Sequence, residues 1–137
     1  MSPEAAEVRE WLSKVDIDLA AARKMLGEPD PIPEAAAFHC QQAVEKALKA
    51  YLTWRESPFG KTHNLKDLGD ASAAFDSTLQ GIVGRFAPLT QFAWRYRYPG
   101  APVVLPDDEA SDILAIAEDS VAAILSRLPE DFKPTKG

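Results

Sequence analysis

The sequence predicts an all-α protein, an up-and-down helical bundle of about five helices. Three long segments carry apolar residues at three- and four-residue spacing, which is typical of helices with one buried face. No segment shows convincing alternation of apolar and polar residues, so nothing indicates a sheet. The 137 residues are expected to form one domain, with an ordered core over about residues 3–129 and a polar tail over residues 130–137.

The first helix is predicted to follow Ser2, a good N-cap residue, with Pro3 at its first position. Gly27 and Pro29 are expected to end it. Its inward face is predicted to carry Val8, Trp11, Leu12, Val15, Leu19, Ala22 and Leu26.

The second helix is predicted to begin near Pro33 and to run to about Arg55, a length of about 33 Å. At 100° per residue, Gln41 falls near the middle of its apolar arc and Glu45 at the margin. Buried amides and carboxylates need partners, because an unpaired one costs about 1–3 kcal/mol. We expect a neighbouring helix or a second subunit to supply them. The opposite, polar side of the helix is predicted to hold His39, Gln42, Lys46, Lys49 and Thr53.

A strip of small residues lies beside the apolar arc of this helix. Small side chains let another backbone approach closely, either on a helix of the same chain or on a second subunit. The strip consists of Ala36, Ala43, Ala47 and Ala50.

Capping residues and prolines mark the remaining helices. A short third helix is expected to follow the KTHN segment, and Asp76 or Ser77 is placed to cap a fourth. Pro88 is expected to kink or split the fourth helix, because proline removes a donor and clashes with the preceding turn. The last helix is predicted to begin at Asp107, and Pro129 should stop it.

Composition narrows the class of protein. Fifteen basic and twenty-one acidic side chains give a net charge of −6, so a general cationic surface that coats duplex DNA is not expected. Cys40 is the single cysteine, the N-terminal residues lack a signal-peptide pattern, and no apolar run approaches the ~20 residues that span a bilayer. These features predict a cytoplasmic protein that has no contact with a membrane.

Basic residues are concentrated between residues 46 and 66, where five basic side chains accompany one acidic side chain, a local net charge of +4. Such a surface is suited to attract an anionic ligand, although an ordinary solvated helix face is the alternative. His39 and Gln42 lie one turn apart on the same side of the second helix as Lys46 and Lys49, so all four belong to the candidate surface.

Two further features indicate contacts with nucleic acid. His63 precedes the third helix, where its ring is placed either to reach a ligand or to form a structural hydrogen bond with the backbone. The segment WRYRYP, residues 94–99, interleaves aromatic rings with arginines. That mixture is suited to stacking on bases and binding phosphates, or to bracing a loop.

The sequence shows no motif for a cysteine nucleophile, a zinc site or a phosphate-binding loop. His39 and Cys40 are adjacent on a helix and therefore point in different directions, which argues against a Cys–His nucleophile pair. Two histidines and one cysteine do not form a zinc motif, and Gly60-Lys61-Thr62 lacks the upstream glycine of a phosphate-binding loop. No metal and no cofactor are predicted.

The string FHCQQAVEKALKAYL at residues 38–52, followed by KTHNLKDL at 61–68 and later by Arg97-Tyr98-Pro99, resembles the HEPN domain, a small helical module. The resemblance covers residues 4–128 in helix order and implies a four-helix-bundle core. HEPN proteins include ribonucleases, toxins paired with small nucleotidyltransferases, and members that bind nucleotides. The resemblance therefore implies a homodimer with its site near the interface, and a small nucleotidyltransferase partner in a toxin–antitoxin-like pair.

HEPN nucleases typically carry an arginine followed, after four to six residues, by a histidine that performs acid–base work. This chain lacks that spacing, because seven residues separate Arg55 from His63 and the later arginines follow the last histidine. The leading hypothesis is therefore a nucleotide- or RNA-binding module. Its predicted site residues are His39, Gln42, Lys46, Lys49, His63, Arg97 and Tyr98.

Two alternatives stay open. The first is a metal-independent ribonuclease in which His63 and Arg97 are the catalytic candidates. The second is a structural or regulatory dimer in which Gln41 and Glu45 fix the register of packed helices. By analogy with the family, Tyr96 and Tyr98 are also candidate acceptors of a nucleotide transferred by the partner.

Overall fold

The structure is a computed structural model that describes residues 2–96, 99 and 104–132. All regular structure in these residues is helical, which confirms the predicted all-α class. The five α-helices are α1 (Pro3–Met25), α2 (Pro33–Trp54), α3 (Leu65–Ala73), α4 (Gln80–Phe86) and α5 (Asp107–Leu125), and 3₁₀ segments occupy Ser77–Leu79, Ala87–Ala93 and Glu130–Phe132.

Helix α2 lies at the centre of the bundle. It packs most extensively against α1, then against α5, and on its remaining sides against α3 and the segment Ala87–Ala93. The predicted apolar arc is confirmed, and the alanine strip is fully buried within this one chain. Close packing inside the chain therefore explains the strip, and it gives no independent argument for a second subunit.

The polar side of α2 is covered as well, which the sequence did not lead us to expect. Lys49 and Thr53 are buried, and α1 lies across this side of the helix. The prediction of an open polar surface on α2 is therefore wrong for Lys49 and Thr53, whereas His39, Gln42 and Lys46 are partly exposed. The reason is that a central helix has neighbours over much of its circumference, whatever its own polarity pattern.

The caps at Ser2 and Asp76 follow the sequence predictions, and Asn64 caps α3 in addition. The Ser2 hydroxyl accepts a hydrogen bond from the Ala5 amide at 3.1 Å, and the Asn64 side chain accepts one from the Asp67 amide at 3.1 Å. Asp76 caps the 3₁₀ segment Ser77–Leu79 that leads into α4. The fourth helix changes to 3₁₀ geometry at Ala87, immediately before Pro88, as predicted.

Helices α3 and α4 approach each other closely at Gly69. A Cβ atom on this residue would stand 2.9 Å from the Phe86 ring and 3.0 Å from a methyl group of Val83. Glycine is therefore required here for packing, and the contact holds α3 in place beside α2.

A short 3₁₀ segment follows α5 beyond residue 129. Glu130–Phe132 forms a 3₁₀ turn, in which the Asp131 carbonyl accepts a hydrogen bond from Arg9 at 2.9 Å and the Phe132 ring lies 5.1 Å from the Arg9 guanidinium. Residues 130–132, which the sequence assigned to the polar tail, therefore pack against α1 through Arg9. None of the described helices is long and apolar enough to cross a bilayer.

Candidate functional site

The polar residues of α2 form a continuous strip that we call the polar stripe. At 100° per residue, the stripe covers about 160° of the helix circumference. It borders α1 on one side and the loop before α3 on the other. Its members are His39, Gln41, Gln42, Glu45, Lys46 and Lys49.

His63 lies in the loop before α3 and is fixed by the stripe. Its Nδ1 atom lies 2.8 Å from Oε1 of Glu45, whose side chain is only 4% exposed, whereas the His63 side chain is 62% exposed. An ionised carboxylate can only accept hydrogen bonds, so Nδ1 donates to it. The nitrogen Nε2 is then the ring atom left for a ligand. His63 is thus both accessible and held in one orientation.

Hydrogen bonds hold the chain at His63 and on either side of it. The Asn64 amide donates to the Thr62 hydroxyl at 3.0 Å, and the Leu65 amide donates to the hydroxyl of Thr90 at 3.0 Å. The His63 carbonyl accepts a hydrogen bond from Gln41 at 3.1 Å. Backbone contacts to α2 and to the segment Ala87–Ala93 therefore set the position of the imidazole.

Lys49 holds the Glu45 carboxylate from the other side. Its ammonium lies 3.0 Å from Oε2 of Glu45, and its side chain is 8% exposed. The rings of Trp11 and Phe59 lie 5.7 and 5.6 Å from the ammonium, within the range of cation–π contact. Lys49 was predicted to face a ligand from an open polar surface. The structure corrects this, because the ammonium is enclosed by an acid and two rings.

Gln41 completes the network around Glu45. Its Nε2 donates to Oε1 of Glu45 at 3.1 Å, and its Oε1 accepts from Gln42 at 2.6 Å. The partners of Gln41 and Glu45 thus lie on α2 itself and in the loop that carries His63. The expectation that a neighbouring helix or a second subunit supplies them is not met. We call Gln41, Glu45, Lys49 and His63 the Glu45 cluster.

A second polar cluster lies between α1 and α2. Asp18 of α1 is buried, and its carboxylate lies 2.9 Å from Nδ1 of His39 and 2.6 Å from the ammonium of Lys46. We call these three residues the Asp18 cluster. Sequence reasoning missed Asp18, although a signal was present: the residue lies three positions after Val15 and four before Ala22, on the buried face of α1.

The cationic concentration predicted between residues 46 and 66 is largely neutralised. Lys46, Lys49 and Lys66 each pair with a carboxylate, at distances of 2.6, 3.0 and 2.7 Å. The Arg55 guanidinium lies over the rings of Trp54 and Phe75. Lys61 is exposed and has no ion pair among the described residues. A general cationic patch is therefore not formed, and the positive charge left near His63 is that of Lys61.

A comparison with models of protein families matches the HEPN domain over residues 8–128 of the 137-residue chain. The chain belongs to the HEPN domain family. Membership supports, at the level of the family, a module whose role relates to nucleotides or RNA. No curated protein and no solved structure matched the chain.

The matched range contains both polar clusters of this HEPN domain and the WRYRYP segment at residues 94–99. Within that segment, the Arg95 guanidinium lies 5.4 Å from the Tyr96 ring and hydrogen-bonds Gln91, and Tyr96 stacks on Phe92. These contacts brace the end of the 3₁₀ segment Ala87–Ala93.

Two predicted site residues, Arg97 and Tyr98, lie outside the described residues, so their roles stay predictions. The pairing of Arg97 with His63 in the ribonuclease alternative therefore also stays a prediction. Trp94, in the described part of the same segment, is about half exposed.

Cys40 is buried at the apolar face of α2. Burial raises the pKa of its thiol to about 12, with the charge of Glu118 acting in the same direction. The thiol is therefore protonated at neutral pH and is not a nucleophile. In the part of the chain that the structure describes, no group of three or more histidine, cysteine or acidic side chains is arranged to hold a metal ion.

Proposed function

We propose that this HEPN domain protein binds single-stranded RNA or nucleotides, and that Nε2 of His63 contacts a phosphate group. The observation that carries the proposal is the pairing of an exposed imidazole with a buried carboxylate, 2.8 Å apart. A ring held in this way has lost its rotational freedom before the ligand arrives, which lowers the entropic cost of binding.

The charges around His63 suit a phosphate. Glu45 and Lys49 balance each other, so a proton on the imidazole gives the Glu45 cluster a net positive charge. A protonated imidazole forms a charge-assisted hydrogen bond to a phosphate oxygen. Lys61, two residues earlier in the same loop, is available for a second contact with the backbone of the nucleic acid.

Fluorescence anisotropy with a labelled single-stranded RNA of about ten nucleotides tests this proposal. The wild type should bind, and His63→Ala should bind at least about tenfold more weakly because a charge-assisted hydrogen bond is lost. Lys24→Ala is the matched control, since Lys24 is an exposed cation in the last turn of α1. Equal loss in both variants would indicate general electrostatics and reject the role of His63.

The same pairing supports a second function, a metal-independent ribonuclease. A histidine oriented by a buried carboxylate is the usual arrangement of a general base, and here it would take the proton of a ribose hydroxyl. Arg97 is the proposed partner that stabilises the phosphate. RNA incubated with the wild type in excess chelator should then be cleaved, and cleavage should disappear in His63→Ala. Intact RNA in the wild-type reaction rejects this function and leaves binding untouched.

We further propose that the protein forms a homodimer and acts with a small nucleotidyltransferase in a toxin–antitoxin-like pair. Membership of the HEPN family supports this proposal. Light scattering tests the first part, because a monomer at tens of micromolar would exclude a functional dimer. Co-purification with a nucleotidyltransferase encoded beside it tests the second. Mass spectrometry after co-expression would show whether Tyr96 or Tyr98 accepts a nucleotide.

A further inference from the structure

Both histidines of the chain are held in the same way. His39 binds Asp18 through Nδ1 at 2.9 Å, as His63 binds Glu45 through Nδ1 at 2.8 Å. Each carboxylate is buried and is also paired with a lysine. The side chain of His39 is 27% exposed, so its ring edge reaches the surface between α1 and α2.

The two clusters are neighbours on the polar stripe. Gln42 is partly exposed between them, and its amide nitrogen donates to Gln41, which in turn donates to Glu45 and to the His63 carbonyl. Residues 39 and 45 are separated by about 9 Å along the axis of α2, at 1.5 Å per residue. They also differ by about 120° around that axis, at 100° per residue, so the two clusters occupy separate parts of the polar stripe.

The charge of each cluster is balanced in the same manner. Asp18 and Lys46 offset each other around His39, as Glu45 and Lys49 do around His63. A proton on either imidazole therefore leaves one positive charge at that cluster. Two imidazoles held at separate points of the polar stripe match a chain of phosphodiesters, in which successive negative charges are spaced along the strand.

We propose that the Asp18 cluster is a second phosphate contact, made by Nε2 of His39, and that the ligand is single-stranded RNA spanning several nucleotides. A free mononucleotide would fill one contact only. The amide of Gln42 lies between the two contacts, where it can hydrogen-bond the ribose or a base edge. This inference rests on the proposed phosphate contact of His63 and specifies the class of ligand for that surface.

Affinity measured against ligand length tests the inference. The wild type should bind an RNA of about ten nucleotides more tightly than a mononucleotide, and His39→Gln should lower the ratio of the two affinities about tenfold. His63→Gln should weaken binding of both ligands. If His39→Gln leaves the ratio unchanged while His63→Gln loses binding, the second contact is wrong and the function of His63 stands. If the wild type binds neither ligand, both proposals fail.

Magnetic resonance gives a test that does not depend on the folding of a variant. The chain has two histidines, so a wild-type sample with labelled histidine shows two imidazole spin systems. RNA of about ten nucleotides should shift both, and a mononucleotide should shift that of His63 alone. A shift confined to one histidine with the longer RNA would overturn the inference.

Discussion

At the scale of single residues, Glu45 connects the packing of the bundle to the candidate site. One buried carboxylate serves Lys49, Gln41 and His63. Removing one partner of a buried ion pair is costly, because the remaining charge stays buried without compensation. The stability of the fold and the orientation of the exposed histidine therefore depend on the same side chain.

Glu45→Gln should lower the free energy of unfolding by about 3 kcal/mol, because the Lys49 ammonium loses its counter-charge inside the bundle. Urea unfolding followed by circular dichroism measures this loss. Asp70→Asn is the matched control, since it breaks the exposed pair of Asp70 with Lys66 and should change stability little. A loss below about 1 kcal/mol in Glu45→Gln would mean that the buried pair contributes little.

Cys40 should be inert toward a thiol reagent in the folded protein at pH 8 and should react once the chain is unfolded. The physical reason is burial, which raises the pKa of the thiol from an ordinary value of 9.0 to about 12. Absorbance of the released thiolate reports both rates. Fast reaction without denaturant would show that the thiol is accessible in the folded state.

The raised pKa of Cys40 also links stability to pH. The folded state holds the thiol proton more tightly than the unfolded chain does. The contribution of this thiol to the free energy of unfolding is therefore complete below pH 9 and is lost as the pH rises toward 12. Cys40→Ala should therefore lose less stability than the wild type between pH 9 and 11. Parallel pH curves for the two proteins would contradict this link.

At the scale of secondary structure elements, apolar spacing and capping residues predicted α1, α2 and α5 well. Ser2 and Asp76 cap as expected, because capping depends on local backbone geometry that the sequence encodes directly, and Asn64 caps α3 by the same local geometry. Pro88 also acts through local geometry, since the change from α-helix to 3₁₀ helix at Ala87 comes immediately before it. The environment of the polar side of α2 was not predictable in this way, because it depends on which helix lies across it.

Asp18 shows what the helical pattern could and could not reveal. Its position on the buried face of α1 indicated a buried acid, which requires a partner. Its partners, His39 and Lys46, are 21 and 28 residues away, and only the packing of α1 on α2 brings them together. The candidate site was therefore predicted as a list of residues, whereas its geometry came from the fold.

The α3–α4 contact at Gly69 gives a test of packing between elements. Gly69→Ala should destabilise the protein by about 1–3 kcal/mol, because the added methyl meets the Phe86 ring and the Val83 side chain at about 3 Å. Gly81→Ala in α4 is the control. A methyl there meets nothing within 4 Å, so the better helix propensity of alanine should stabilise by about 0.5–1 kcal/mol. Equal melting temperatures of Gly69→Ala and wild type would contradict the close contact.

At the scale of the whole molecule, a central helix enclosed by its neighbours presents its polar residues only along the border between α1 and the loop of His63. Three of the basic side chains between residues 46 and 66 pair with carboxylates of the chain, so the described part of this region forms no broad cationic surface, in agreement with the net charge of −6. Any contact with a phosphate backbone is therefore expected to be local, and our proposal assigns it to His63.

An RNA with one internal phosphate replaced by an uncharged methylphosphonate tests that contact directly. Scanning the replacement along the strand, we expect wild-type affinity to fall about tenfold at the phosphate that His63 contacts, because the charge-assisted bond is lost, and we expect a second sensitive phosphate at the proposed His39 contact. In His63→Ala the same replacement should have no effect, since the partner is already absent. If His63→Ala remains as sensitive to that phosphate as the wild type, the contact is made by another residue and the proposed role of His63 is wrong.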